Sequence, residues 1–368
     1  MNARDLRADI PALDRTTYLN TGASGPSPRR VVDAASESLR RHEFEAPAAE
    51  GMYRAAFDVF DDARAAVADY VGAEPAAVAL TESTGDGIAR VAAAIDWNPG
   101  DVVVRTDLEH PAGVLPWERL RRVHDVEVRV VETEGGRVDP ERWAEAVADA
   151  RLAVLSSVCW TTGSRLAVGD LTDVAHDAGA RVLVDAVQSV GQHRVDVDEW
   201  GADAVAASGH KWLLGQWGGG FLYLDRPFAD SLHPAQVGYF GVRDPQSGGY
   251  DLEPGARRFE VGTVSVAPYA ALREAVAISE ELGLDAVESR IERLTDRLKV
   301  GLDDDRLLSP REYESGLVTF QVEDAEATVE RLRDRAVRVK TVPEPDAVRA
   351  SVHAFNTAAD VDRLLDLL

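Results

Sequence analysis

Amphipathic segments with a helical period alternate with short apolar runs through the first two thirds of the chain. Helical stripes fall at about 54–71, 140–150 and 171–178. The apolar runs that predict strands lie at 102–104, 126–131, 152–158, 182–184, 204–207 and 221–224. Continuous apolar strands interleaved with helices are typical of a mostly parallel sheet that is covered on both faces. The pattern therefore predicts an α/β fold, with its ligand beyond the carboxyl ends of the strands.

The last third of the chain predicts smaller units. A clean helical stripe lies at 287–298, and another helix closes the chain. Strands are predicted near 317–322, 337–342 and 348–354. Because 368 residues favour two domains, we predict a large domain over residues 18–264. A smaller α+β domain is predicted from residues 1–17 together with residues 265–368.

The charge balance excludes several classes of partner. Asp and Glu number 64 against 40 Lys and Arg, so the formal net charge is −24. Nucleic acids and anionic membranes bind clustered positive charge, so we expect neither as a partner. No apolar run approaches the ~20 residues of a membrane span, and no secretory signal opens the chain. A single cysteine, Cys159, excludes an internal disulfide and a multi-cysteine metal site, so we expect a cytoplasmic enzyme without a metal.

Two predicted strands end in residues that carry chemistry. Asp185 closes the apolar run at 182–184, and Lys211 follows the run at 204–207 after a loop of small residues. Strand ends of this kind bring a carboxylate and a primary amine to one crevice. Pyridoxal phosphate needs this pair, an amine for a Schiff base and an acid that keeps its pyridine nitrogen protonated. An ordinary strand-end Asp with a solvated Lys is the alternative, but lysine is scarce: the chain contains only three.

The residues around this pair resemble the class V aminotransferase family, which includes the cysteine desulfurases. The matching blocks follow the family's order and cover most of the chain. They lie at 18–24, 81–88, 109–117, 184–188, 208–211, 258–263 and 349–357. The resemblance implies a pyridoxal 5'-phosphate enzyme of fold type I. Such an enzyme has a large domain with a mixed, mostly parallel seven-stranded sheet and a smaller C-terminal α+β domain.

A phosphate site is expected at Ser83, Thr84 and Gly85. These residues precede a helix-forming run at 88–95, so free backbone N–H groups and the helix dipole can hold an anion. A plain Ser/Thr helix cap is the alternative. The presence of Lys211 favours the phosphate over the plain cap.

The resemblance also implies the other cofactor contacts. Gln188 and Ser208 would bond the cofactor phenolate and phosphate, and His210 would bind the phosphate. Thr263 would reach the phosphate from a neighbouring subunit, which implies a homodimer. His110 would stack on the pyridine ring and is a candidate for moving a proton.

The substrate is expected to bind through Arg349. Its guanidinium fork matches a carboxylate, and the resemblance places the family's α-carboxylate arginine at this position. By the same resemblance, Ala23 in the first block contacts the substrate, which is an amino acid, a small molecule. Lys211 would form the Schiff base and then remove the Cα proton, while Asp185 keeps the pyridinium charged.

Two departures from the family pattern bear on the reaction. Desulfurases carry a nucleophilic cysteine shortly before the late arginine, but residues 340–348 contain none. Trp160 stands where many members carry an asparagine, as in the branch that includes isopenicillin epimerase-like proteins. Lys340 stands where desulfurases tend to have an arginine. We therefore expect a class V aminotransferase, with a C–S lyase or epimerase as the alternative. A persulfide-forming desulfurase and a noncatalytic pyridoxal phosphate protein are disfavoured.

The acidic, lysine-poor composition predicts stability that depends on salt. Charge repulsion within a protein of net charge −24 is screened at high ionic strength. We expect the free energy of unfolding, measured by urea titration, to be higher in molar potassium chloride than in dilute buffer. Chloride is used because sulfate strengthens hydrophobic burial by itself. Equal stability in both buffers would favour an arginine-rich codon bias as the origin of the composition.

Overall fold

The computed structural model describes residues 1–343 and 346–368. The α-helices are α1 Ala3–Ala8, α2 Arg29–Arg40, α3 Met52–Val71, α4 Thr84–Ala94, α5 Leu115–His124, α6 Pro140–Val147, α7 Val168–Asp177, α8 Val197–Trp200, α9 Arg226–Ser231, α10 Ala267–Leu282, α11 Leu284–Val300, α12 Ala325–Asp334 and α13 Ala358–Leu365. Within the described ranges, no helix is long and apolar enough to cross a membrane.

The strands form one large sheet, one small sheet and a short parallel pair. Their bounds are β1 Thr17–Tyr18, β2 Val78–Thr81, β3 Val102–Thr106, β4 Glu127–Val131, β5 Leu152–Ser156, β6 Arg181–Asp185, β7 Ala204–Ser208, β8 Gly220–Leu224, β9 Leu317–Phe320, β10 Val337–Arg338, β11 Lys340–Pro343 and β12 Asp346–Ser351. The large sheet has the order β2-β8-β7-β6-β5-β3-β4. Only β8 runs against its neighbours in that sheet. The predicted mixed, mostly parallel seven-stranded sheet is therefore confirmed.

The strands of the large sheet are apolar along their whole length because helices cover both faces. In β5, alternate residues belong to different hydrophobic clusters: Ala153 and Leu155 face one side, and Leu152 and Val154 face the other. The first cluster also includes side chains from α3 and α10, and the second includes side chains from α4 and α5. This explains why the sequence shows continuous apolar runs in place of a two-residue alternation.

The small sheet lies in the C-terminal part of the chain. Its order is β11-β12-β9, and both pairings are antiparallel. A third cluster, with Leu298, Leu332 and Leu364 from α11, α12 and α13, covers one face of it. The register places Lys340 opposite Arg349, which puts the two side chains on the same face.

The N-terminal segment contacts both sheets. Leu6 and Ile10 belong to the cluster on the large sheet, as do residues of α10. Arg7 pairs with Asp360 of α13 at 2.8 Å, and β1 pairs in parallel with β10. The division into residues 18–264 and residues 1–17 with 265–368 stays a prediction.

Three local features were not anticipated from the sequence. The edge strand β2 has only four residues, too few for a periodic signal beside a long helix. Helix α2, with 12 residues, was not predicted either. The strand expected at 337–342 is divided, because β10 pairs with β1 whereas β11 pairs with β12.

The loop that carries Lys211 packs against Gly191, which provides a test of this packing. A Cβ added at Gly191 would lie 2.5 Å from the carbonyl carbon of Trp212, and its φ is +99°. Gly179 has a similar φ of +86°, and in the described part of the chain no atom lies within 4 Å of its added Cβ. We expect Gly179→Ala to lower the free energy of unfolding by about 1–2 kcal/mol. Gly191→Ala should lose about 1–3 kcal/mol more, because a backbone clash is added. If urea titrations show the same loss of unfolding free energy for both variants, the loop moves away from the added methyl group without cost.

Candidate active site

A cavity of about 210 Å³ lies at the carboxyl ends of the central strands, between the large and small sheets. Its wall contains the predicted site residues Ala23, Ser83, Thr84, Gly85, His110, Asp185, Gln188, Ser208, His210, Lys211 and Arg349. It also contains Gly22, Ala112, Trp160, Val187 and Lys340. Parallel strands end at the same edge of a sheet, so residues distant in sequence meet here.

Asp185 and Lys211 both line this cavity, and each influences the charge of the other. Asp185 is the last residue of β6; it is buried, and its Oδ1 accepts a hydrogen bond from the N–H of Val187 at 3.0 Å. Burial raises the pKa of Asp185, while Val187 and Lys211 oppose this change. Burial lowers the pKa of Lys211 to about 8; Asp185 raises it, and Arg349 and Lys340 lower it further. A lysine with this pKa is partly unprotonated near neutral pH and can act as a nucleophile or base.

The predicted phosphate loop begins helix α4. Ser83 is the N-cap, and its hydroxyl accepts from the N–H of Asp86 at 3.1 Å. The N–H of Thr84 donates to Ser208 Oγ at 2.7 Å, and the two hydroxyls lie 2.8 Å apart. The capping role of Ser83 is therefore observed, and the anion site stays a prediction. The positive end of the helix dipole, two hydroxyls and backbone N–H groups all lie at this wall.

His110 lies in the cavity wall as a neutral side chain. Its Nδ1 accepts from the N–H of Ala112 at 3.2 Å, which leaves the proton of the neutral ring on Nε2. Burial lowers its pKa to about 4, and the nearby charges of Lys211, Lys340 and Arg349 add to the effect. The ring contacts Trp160 edge-on, with 5.1 Å between the ring centroids.

Arg349 lies at the base of the cavity with only 1% of its surface exposed. Its Nη1 donates to the carbonyl of Trp160. Its Nε and Nη2 are buried and have no hydrogen-bond partner within residues 1–343 and 346–368. Burial lowers its pKa to about 10. Two unsatisfied donors on a guanidinium fork are suited to a carboxylate that enters the cavity.

Gln188 is fixed by structural contacts. Its Nε2 donates to the carbonyl of Gly22 at 2.9 Å, and its Oε1 accepts from Trp212 Nε1 at 2.8 Å. One amide N–H remains available toward the cavity. His210 lies in the same wall, with its ring tilted against Trp217, and burial lowers the pKa of His210 to about 4.

Thr263 is the predicted site residue that lies away from this cavity. It is exposed, and its backbone N–H donates to Tyr239 Oη at 3.1 Å. The exposed position is compatible with contact across a subunit interface. Its role toward a neighbouring subunit, and the homodimer, stay predictions.

Two residues near the site were assigned no role from the sequence. Lys340 could have been found from lysine scarcity, since two of the three lysines of the chain line one cavity. Glu109 is buried behind His110, where it accepts from Thr106 Oγ1 at 2.7 Å and from Ser156 Oγ at 2.7 Å. Ser156 is the strand partner of Asp185, so Glu109 holds the β5 end next to that carboxylate. Its position next to His110 is the only sequence signal of this role.

The cavity residues fit pyridoxal 5'-phosphate. The start of α4, with Ser208 and His210, suits the phosphate; His110 and Asp185 suit the ring. Lys211 suits the aldehyde carbon, and the unsatisfied donors of Arg349 leave room for the carboxylate of an amino acid.

Comparison with known proteins gives the family. The model of the family described as Aminotransferase class-V matches residues 17–364. The chain belongs to the class V aminotransferase family. A probable cysteine desulfurase from Methanothermobacter thermautotrophicus is 31% identical, over 100% of this chain and 98% of its own length. An isopenicillin N epimerase from Streptomyces clavuligerus is also 31% identical, over 97% of this chain and 95% of its own length.

Solved structures of C-DES share the fold of this class V chain. One, a mutant with glycine covalently linked to the PLP cofactor, has a TM-score of 0.92, with 25% identity and 98% of each chain covered. Another is a complex between the cystine C–S lyase C-DES and its reaction product cysteine persulfide. It has a TM-score of 0.91 at 25% identity and covers 97% of this chain and 98% of C-DES. The predicted family, fold type I and enzymatic nature of the protein are confirmed.

Glu109 predicts a pH dependence of stability in this class V chain. Burial raises its pKa from 4.5 to about 7, so its contribution to folding is complete below pH 4.5 and is lost as the pH rises through 7. Above that range the ionised, buried carboxylate lowers stability by about 3 kcal/mol. As the pH rises from 4.5 to 7, we expect the free energy of unfolding to decrease less in Glu109→Gln than in the wild type, as measured by urea titrations.

The exposed Glu132 provides the control for this measurement. The Glu132→Gln variant should follow the wild-type profile over the same range. If the Glu109→Gln profile also follows it, the carboxyl of Glu109 does not bind its proton more tightly in the folded state.

Proposed function

We propose that the protein is a pyridoxal phosphate enzyme that acts at the Cα of an amino acid, and that its reaction is transamination. The observation that supports this is the convergence of Lys211, Asp185 and Arg349 on one cavity. The cofactor predicted from the sequence, pyridoxal 5'-phosphate, is confirmed by the family. When bound, it withdraws electrons from the Cα of an attached amino acid.

Arg349 orients the substrate. Its Nε and Nη2 have no other partner among the described residues, so a bidentate bond with the α-carboxylate satisfies two buried donors. Its remaining bond to the carbonyl of Trp160 fixes the plane of the guanidinium. Lys211 lines the same cavity, so an amino acid held by Arg349 would share that cavity with the proposed base.

Lys211 moves the proton at Cα. Its pKa of about 8 lets the amine exist in both protonation states near neutral pH. It can therefore accept the proton from Cα and afterwards donate a proton to the carbon at which the product forms. Asp185 is held in place by the N–H of Val187 and stabilises positive charge on the ring nitrogen. His110 is neutral near pH 7, so it can cover a ring face without adding a charge to the cavity. Trp160 packs edge-on against His110.

Transamination is favoured because the chain supplies no special acceptor group. Residues 340–348 contain no cysteine, and the single thiol, Cys159, is buried with its Sγ 3.1 Å from Thr161 Oγ1. Residues 340–348 therefore offer no thiol that could accept a sulfur atom from the substrate as a persulfide. A C–S lyase or an epimerase is the second candidate, because relatives with those names cover nearly the whole chain.

A noncatalytic pyridoxal phosphate protein is disfavoured. Binding alone would not require an unsatisfied arginine at the base of the cavity or a lysine with a lowered pKa. Each of these is unfavourable to bury, and each has a use in the reaction.

The cofactor gives a direct test of this proposal. We expect the purified protein to be yellow, and Lys211→Ala to lose the absorbance of the covalently bound cofactor because the amine is gone. Lys299→Arg is the matched control, since Lys299 lies outside the cavity and bonds the carbonyl of Glu312 at 2.7 Å. A protein that takes up no pyridoxal phosphate, or an unchanged spectrum in Lys211→Ala, would contradict the proposal.

The reaction itself is tested with a panel of amino acids, with and without 2-oxo acids. Transamination predicts keto acid formation that requires a 2-oxo acid acceptor. Exchange of the Cα hydrogen for deuterium without a product would favour an epimerase. Release of sulfide without an added acceptor thiol would favour a C–S lyase.

A further inference from the structure

We propose that Lys340 binds a second anionic group, located on the side chain of the amino acid substrate. This inference rests on the proposed function and names its substrate class. The substrate is an amino acid with an acidic side chain rather than a neutral or basic one. Lys340 is then a specificity-determining residue that acts beside Arg349.

The strand register places the two cations together. Lys340 of β11 lies directly opposite Arg349 of β12 in an antiparallel pair, and both line the cavity. Side chains at such positions have Cβ atoms about 5 Å apart, and like charges there are destabilising. An arrangement that lowers stability and opens into a ligand cavity points to an anion that compensates it when bound.

Within residues 1–343 and 346–368, the two cations have no neutralising partner. Among the described residues, no carboxylate forms an ion pair with Lys340 or Arg349. Asp185 is the only acidic side chain in the described wall, and Lys211 influences its charge. With Asp185 committed to the cofactor ring and Lys211 to the cofactor aldehyde, Lys340 and Arg349 remain for the substrate.

The two cations lie at different depths. Arg349 is buried at the base with two unsatisfied donors, whereas Lys340 is exposed at the open side of the cavity. A single α-carboxylate on the Arg349 fork leaves the ammonium of Lys340 unpaired. A substrate that extends from Arg349 toward the opening brings its side-chain group to Lys340. The three donors of an ammonium accept such a group without a strict geometry.

The test measures equilibrium binding to the enzyme loaded with its cofactor. Dicarboxylates from malonate to adipate are each titrated by calorimetry beside the monocarboxylate of equal length. We expect at least one dicarboxylate to bind about tenfold or more tightly than its monocarboxylate, because its second carboxylate forms a charged hydrogen bond with Lys340. In Lys340→Gln this ratio should fall to about threefold or less, and Lys340→Arg should retain it. Arg338→Gln, which removes a charge from the neighbouring β10 outside the described cavity wall, should leave it unchanged.

The absorbance change of the cofactor on titration with amino acids gives an independent measurement of substrate binding. L-glutamate against L-glutamine, and L-aspartate against L-asparagine, differ in side-chain charge but hardly in shape. Lys340→Gln should raise the half-saturating concentration of the acidic member about tenfold and leave that of the amide within about twofold. In Lys340→Glu, the amide of each pair should have a lower half-saturating concentration than the acidic amino acid.

Several results would overturn the inference. Equal weakening of dicarboxylates and monocarboxylates in Lys340→Gln would assign Lys340 to the α-carboxylate. A lower cofactor content with an unchanged ratio would assign it to the cofactor. The absence of any preference for dicarboxylates in the wild type would exclude the subsite. Each of these can occur while the Lys211→Ala result holds, so failure of this inference is distinct from failure of the proposed function.

Discussion

The site depends on the parallel pairing of β6 with its neighbours. Asp185 pairs with Ser156 of β5 on one side and with Ala206 of β7 on the other. This pairing fixes the buried carboxylate at the height where the loop after β7 delivers Lys211. Because hydrogen bonds on both sides hold β6, Asp185 cannot move away to solvent, and its charge has to be balanced inside the cavity. The lowered pKa of Lys211 and the raised pKa of Asp185 both follow from this enforced burial.

The interior of the cavity has the opposite charge character to the protein as a whole. The chain carries a net charge of −24, yet the described wall of the cavity contains Lys211, Lys340 and Arg349 against a single carboxylate, that of Asp185. This contrast favours anionic ligands, since a phosphate and carboxylates meet an excess of cationic side chains in the cavity, whereas acidic side chains are in excess over the whole chain. Burial keeps His110 neutral by lowering its pKa to about 4, and the nearby charges of Lys211, Lys340 and Arg349 add to this effect.

The contacts of Trp160 connect two parts of the site. Its carbonyl anchors Arg349, and its ring packs against His110, so one residue connects the substrate arginine to the residue expected on the cofactor ring. The amide of Gln188 is similarly occupied by Trp212 and Gly22. Packing and backbone contacts thus hold the site rigid before any ligand enters, which is what positioning for proton transfer requires.

The sequence by itself determined the sheet class, the cofactor and the central residues, because apolar strand runs, the strand-end pair and the ordered family blocks are local signals. It could not reveal that Lys340 lies opposite Arg349, since a strand register depends on how the chain turns between β11 and β12. The sequence also did not reveal the four-residue strand β2 or the hydrogen bond between Glu109 and Ser156. Both depend on neighbours that are distant in sequence. Tertiary structure decided which charges meet, and burial then decided their pKa values, because desolvation depends on everything packed around a group.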